Sequence, residues 1–144
     1  MANNNGYVDV SLIGEEVQEI FNVLLECGVA PAGKHNLHAT LMYDKRDLEQ
    51  PLAELDPEKT FKAYVTRLDV LGDGLVFHLT SQDMLDEHRR LLECGYKHSF
   101  DGLLPHMSLT YDFNQHEVLK LKHAFANWGG RELTFGQAGF GCKI

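Results

Sequence analysis

Leu37-His38-Ala39-Thr40-Leu41-Met42-Tyr43-Asp44 decides how the chain is read, because it returns 68 positions later as Pro105-His106-Met107-Ser108-Leu109-Thr110-Tyr111-Asp112. His meets His, Thr meets Ser, and Leu, Tyr and Asp are identical. Each copy reads as a β-strand, on which residues two apart share a face. His38 and Thr40 then stand side by side, as do His106 and Ser108, so each strand offers one imidazole next to one hydroxyl. The same alternation sends Tyr43 and Tyr111 to the opposite face, where core packing is expected. Asp44 and Asp112, at the strand ends, are expected to cap turns.

The repeat extends outward from the motif. Leu24-Leu25-Glu26-Cys27-Gly28 recurs literally as Leu91-Leu92-Glu93-Cys94-Gly95, 67 positions on, and one residue is gained in the following loop. In the first half, residues 7–12 read as a strand. Gly14-Glu15-Glu16 opens a helix whose apolar stripe is Val17, Ile20, Phe21, Leu24 and Leu25, ended by Gly28. Pro31 and Gly33 form the loop into the His38 strand. In the second half, residues 75–80 read as a strand. Ser81 or Asp83 caps a helix that buries Met84, Leu85, Leu91 and Leu92 and stops at Gly95. Residues 47–56 read as a short helix or loop around Pro51, and 60–71 as a long strand. Gly72-Asp73-Gly74 has hairpin-turn chemistry. A helix near 115–128, burying Val118, Leu121, Phe125 and Trp128, precedes a Gly-interrupted strand over 132–143. The pattern implies an α+β chain in which residues 1–144 form a single domain of two duplicated lobes, approximately 7–72 and 74–144, with room for strand exchange between them.

Composition narrows the function. The net charge is −8 with histidines neutral, and no run of Lys or Arg forms a basic stripe. Gripping a long nucleic acid takes several cations on phosphates, so a small ligand is favoured over a polynucleotide. No targeting peptide or membrane span is read: residues 1–6 are polar and uncharged, and the apolar runs are short. Cys27, Cys94 and Cys142 lack metal-ligand spacing and read as reduced thiols of an intracellular protein. The histidines and cysteines together have no zinc-site spacing, so no metal is expected. His35, His98, His116 and His123 have no spacing that names a role and read mostly as surface residues, and His78 and His88 read as packed ones.

Paired imidazole–hydroxyl strands suit a phosphodiester. If a pseudo-two-fold opposes His38 and His106 across one groove, one neutral imidazole can take a proton while the other, charged, donates one. The Thr40 and Ser108 hydroxyls can hold the non-bridging phosphate oxygens. This scheme uses no metal and no cofactor. Lys97 and His98, in the loop Gly95–Gly102, are placed to meet a phosphate or a base. Tyr7 and Phe61 are aromatics that could stack on a base, with core burial the default for both.

These residues resemble the two-histidine (2H) phosphoesterase superfamily, defined by paired His-x-Thr/Ser strands on two pseudo-symmetric lobes. The resemblance implies a LigT-like bilobal fold: two antiparallel sheets, helices on the outside, and a central groove. Within the superfamily, the compact size, His38-Ala39-Thr40-Leu41-Met42-Tyr43 and Gly95-Tyr96-Lys97-His98-Ser99-Phe100 are most similar to the phage anti-CBASS nucleases. That branch implies metal-independent cleavage of cyclic di- and trinucleotides, such as 3′,3′-cyclic GMP–AMP, by ribose 2′-hydroxyl attack, in the cytoplasm of an infected bacterium. Carried over, His38 and His106 are the acid/base pair, Thr40 and Ser108 hold the phosphate, and Tyr7 is the choice for the stacking aromatic. A 2′,5′-oligoadenylate or RNA 2′,3′-cyclic phosphodiesterase is the enzymatic alternative. A non-catalytic nucleotide-sequestering protein is the alternative of another class.

Overall fold

The computed structural model describes residues 5–32 and 37–141. Residues 1–4, Gly33, His35 and Cys142 lie outside the described residues, with the expectations attached to them. The elements run β1 (Tyr7–Ile13), α1 (Glu16–Glu26), β2 (His38–Tyr43), β3 (Phe61–Leu71), β4 (Gly74–Thr80), α2 (Gln82–Glu93), β5 (His106–Thr110), α3 (Gln115–Ala124) and β6 (Glu132–Phe140). The chain is α+β, as expected. Its strands, however, do not form two separate sheets. All six join one closed antiparallel ring in the order β1-β2-β5-β4-β3-β6, with β6 returning to β1. The ring closes because β2 pairs with β5 and β3 with β6, which ties each half of the chain to the other at two seams. Exchanging β1, β2, β3 for β4, β5, β6 leaves the set of neighbouring pairs unchanged.

Both motif strands carry a β-bulge. Tyr7 and Val8 pair with Tyr43 and Met42, but Asp9 pairs with Thr40, so Leu41 is the extra residue on β2. Leu75 pairs with Thr110 while Val76 pairs with Ser108, so Leu109 is extra on β5. A bulge resets the alternation beyond it. Two successive residues are therefore buried on each strand, Leu41-Met42 and Leu109-Thr110. Tyr43 and Tyr111 follow the bulges and are turned away from the core face. The expectation that they pack in the core is overturned: Tyr111 is 60% exposed and Tyr43 half-buried.

The helices attach where their stripes predict, with shifts at the margins. α1 buries Ile20 and Leu24 and ends at Gly28, whose φ of +72° suits glycine. Leu25, expected in the stripe, is 77% exposed. α2 is capped by Ser81, whose hydroxyl accepts from the Met84 N–H at 3.1 Å. It buries Met84 and Leu91 as expected, yet Leu85 and Leu92 face outward, and Glu87 and His88 are buried instead. Positions 84, 87, 88 and 91 form the i, i+3, i+4, i+7 face. Its two polar members are satisfied there. Arg90 grips Glu87 through two 2.8 Å bonds, and His88 Nδ1 lies 2.7 Å from the Leu41 carbonyl at the β2 bulge. α3 opens with a capping box between Asn114 and Glu117 and ends at Ala124, short of the expected 128. The turn that follows still carries Phe125 and Trp128 into the core. β6 runs to Phe140, and the last two positions of the expected strand, 142 and 143, lie outside the described residues.

One cluster forms the core. Strand residues such as Val8, Val10, Leu41, Phe61, Phe77, Met107 and Phe135 pack with Ile20, Leu24, Met84, Leu91 and Leu121 from the helices. The expected packing roles of His78 and His88 hold, since both are buried. Among the described residues no helix is long and apolar enough to cross a membrane.

Candidate active site

The β2–β5 seam joins through the register pair Ala39–Met107, both buried. Continuing an antiparallel register one residue each way sets His38 across from Ser108 and Thr40 across from His106. Each imidazole thus faces the other strand's hydroxyl. The two histidines are diagonal neighbours, a relation that spans about 7–8 Å in antiparallel sheets. His38, Thr40, His106 and Ser108 are all half-buried, on the face opposite the core. The seam between the two halves of the ring therefore presents all four side chains together.

Each hydroxyl is met by a tyrosine. The Tyr7 and Thr40 hydroxyls lie 3.2 Å apart, and Tyr111 Oη donates to Ser108 Oγ at 3.0 Å. The two tyrosines arrive by different routes. Tyr7 comes from β1, with its ring packed so closely on Gly141 that a Cβ there would lie 2.1 Å from Cδ1. Tyr111 folds back from the end of β5 over Gly74, where a Cβ would lie 2.9 Å from its Cε1. A side chain at either place would meet the tyrosine ring, which could keep its position only if the glycine stayed. Burial raises the Tyr7 phenol pKa, opposed by the Thr40 hydrogen bond and reinforced by the charge of Asp9. Phe61 is fully buried and so removed from the stacking candidates.

The outer strands supply charge. Asp9 pairs in register with Thr40 and Ser11 with His38. Burial raises the Asp9 pKa, and the His38 charge opposes that rise. On the other side His78 pairs with His106, and Arg67 with His78. Burial first, then Arg67 and His106, lower the His78 pKa. Asp69 on β3 is held low by the Val70 N–H and by Lys122 and Arg67. His106 Nδ1 lies 2.7 Å from the Leu104 carbonyl. A carbonyl only accepts, so Nδ1 carries the proton, and in the neutral ring Nε2 is the free acceptor.

Lys97 and His98 belong to a loop docked on the far end of β2. The Ser99 N–H donates to the Tyr43 carbonyl at 2.8 Å. His98 Nδ1 accepts from the Tyr43 N–H at 3.1 Å, and its ring meets His88 edge-on at 4.7 Å. Burial, then His88, lower the His98 pKa. The Lys97 N–H donates to Asp44 Oδ2 at 2.8 Å, while the Lys97 residue itself is exposed. Asp44 caps its turn as expected and adds more: Arg46 and Lys97 bind it together, lowering its pKa to about 2. Phe100 is 66% exposed and continues an aromatic row, Tyr7–Tyr43 at 5.7 Å and Tyr43–Phe100 at 6.0 Å. The row runs from Thr40 out to solvent.

Asp9, His78, Tyr111 and Phe100 are site neighbours that sequence reasoning missed. The signal for Asp9 was a charged residue on the polar face of a strand otherwise reading Val-Ser-Leu. Its relation to His38 needed the register. A cavity of about 640 Å³ lined by Pro51, Leu52, Ala53, Glu54, Leu55 and Phe140 includes none of the motif residues. Of these lining residues only Glu54 is ionisable. Among the described residues, no group of three or more His, Cys, Asp or Glu is gathered to hold a metal ion.

Two comparisons bear on this site. The family described as "Anti-CBASS protein Acb1" matches residues 4–128. The anti-CBASS protein Acb1 of Vibrio phage KVP40 is 24% identical over 112 residues, a match covering 74% of this chain and 72% of that protein.

Proposed function

The chain belongs to the anti-CBASS protein Acb1 family, and from that premise we propose that it is a phosphodiesterase that opens cyclic oligonucleotide second messengers and so antagonises CBASS immunity in the cytoplasm of an infected bacterium. The two arcs of the ring, β6-β1-β2 and β3-β4-β5, are read as the duplicated lobes of a 2H phosphoesterase, with the substrate lying over their seam. The observation that supports this reading is the Ala39–Met107 pair, the register from which we infer that the two imidazoles and two hydroxyls meet over the seam.

In the proposed reaction one imidazole takes the proton of a ribose 2′-hydroxyl. The 2′-oxygen bonds to the adjacent phosphorus, the P–O5′ bond breaks, and the second imidazolium gives its proton to the departing O5′. The products are a 2′,3′-cyclic phosphate and a free 5′-hydroxyl, with both histidines left in exchanged protonation states. Water can then open the cyclic phosphate by the reverse traffic. Thr40 and Ser108 donate to the non-bridging oxygens, where charge shifts in the transition state. The tyrosine hydroxyls support this by orienting them: a serine hydroxyl that accepts from Tyr111 keeps its own hydrogen for the phosphate. Each proton transfer is worth about 10²–10⁴-fold in rate.

The test is product analysis with cyclic dinucleotides, cyclic trinucleotides and 2′,5′-oligoadenylate in EDTA. Linear products ending in 2′,3′-cyclic phosphate or 3′-phosphate support the proposal. Cleavage confined to 2′,5′ linkages assigns the chain to that other specificity. Tight binding of intact ligand makes it a sequestering protein.

A further inference from the structure

We propose that Asp9 is a positioning residue that makes His38 the proton donor to the leaving oxygen and leaves His106 as the base for the attacking hydroxyl. This assignment rests on the phosphodiesterase reading above.

Two motifs of the same wording would serve either role equally, so the difference has to come from their neighbours. The neighbouring strands can be compared position by position. Asp9 pairs with Thr40 as Val76 pairs with Ser108, and Ser11 pairs with His38 as His78 pairs with His106. In sequence these couples lie 67 positions apart, Asp9 to Val76 and Ser11 to His78. The frames are the same and the side chains are not. His38 has a carboxylate at its diagonal and a hydroxyl at its side. His106 has valine at the equivalent diagonal and an imidazole at its side.

The charged and titratable groups around the pair are shared unequally: apart from Tyr111, whose phenol meets Ser108 beside His106 as Tyr7 meets Thr40 beside His38, the two sides carry different neighbours. On the His38 side, β1 brings Asp9 and the neutral Tyr7 phenol. Burial holds the Asp9 carboxyl above its ordinary range, and the charge of His38 is what opposes this, so the two side chains sense one another. On the His106 side, β4 brings His78 and β3 brings Arg67 behind it. The β3 carboxylate, Asp69, is already answered by Arg67 at 3.8 Å and Lys122 at 3.7 Å. An anion beside an imidazole favours its cation, and a cation disfavours it. The His106 ring is also fixed by the Leu104 carbonyl with Nε2 as the acceptor of the neutral form. A base needs that arrangement.

A substrate with sulfur in place of the bridging O5′ separates the roles, because a thiolate leaves without a proton. On the ordinary linkage both His38→Ala and His106→Ala lose about 10²–10⁴-fold. On the 5′-thio linkage His38→Ala regains most of its rate and His106→Ala does not. Asp9→Asn behaves as a milder His38 variant: its deficit shrinks on the thio substrate, and the alkaline limb of its pH–rate profile moves to lower pH while the acid limb stays. Rescue of His106→Ala in place of His38→Ala, or of neither, overturns the assignment, as does an Asp9→Asn profile that moves only on the acid limb. Wild-type cleavage of the ordinary linkage is the control. An inert wild type overturns the proposed function, whereas an active one with the wrong rescue overturns only this inference.

Discussion

Tyr111 donates a hydrogen bond to Ser108 across 3.0 Å, although it lies three residues on in the chain, just past the end of β5, and is largely exposed. The bulge at Leu109 turns it onto the site face, and Gly74 leaves the space its ring occupies. Removing the hydroxyl with Tyr111→Phe is expected to lower kcat/KM about 3- to 10-fold, the worth of one ordinary hydrogen bond. The thermal midpoint should stay unchanged, since the ring is outside the core. Steady-state kinetics beside a melting curve checks both.

Gly74→Ala should reproduce that loss by another route. Its Cβ would stand 2.9 Å from the Tyr111 ring and force it off Ser108. The double variant Gly74→Ala/Tyr111→Phe is then expected to be little worse than either single one, because both remove the same contact. Fully additive losses in the double-mutant cycle would separate the two residues.

Acid should loosen the loop that carries His98. Its Nδ1 accepts from the Tyr43 N–H, which a protonated ring cannot do. Burial lowers the folded pKa below the ordinary histidine value, so the unfolded chain binds the proton more readily. The stability that His98 contributes is therefore present above the unfolded pKa and is lost as pH falls through the lowered folded value. His78, also lowered, adds in the same direction. Urea midpoints measured from neutral to acid pH should fall, and His98→Asn, whose amide oxygen accepts without titrating, should flatten that fall.

Asp44 ties the end of β2 to the loop before β5. Its side chain is 1% exposed, bonds Arg46 at 2.6 Å and accepts from the Lys97 N–H. Asp44→Ala leaves that N–H unpaired and is expected to cost about 1–3 kcal/mol, read by urea denaturation. Asp112→Ala should cost much less, because Asp112 is exposed.

Much of this was legible in the sequence, and the losses have identifiable causes. The paired His-x-Thr/Ser strands, the helix ends at Gly28 and Gly95 and the Ser81 cap depend on local spacing, which a sequence displays. Period-two alternation sends Tyr43 and Tyr111 to the wrong face because a bulge adds one residue to the count without changing composition. The helical stripe extends to Leu25, Leu85 and Leu92 because, in sequence, a leucine at a stripe's margin looks like one at its centre. His88, expected to pack, does so with the Leu41 carbonyl at the β2 bulge as its partner. The closed ring and the Asp9–His38 relation depend on which distant strands pair, and strand register across the chain is not written in any local pattern.

The most direct test of the central claim is single-turnover cleavage of a cyclic dinucleotide by wild type, His38→Ala and His106→Ala, with ligand affinity measured in parallel. Two imidazoles sharing one phosphodiester predict a loss of about 10²–10⁴-fold in each variant, with dissociation constants within a few-fold of wild type. Near-wild-type turnover in either variant would contradict the account.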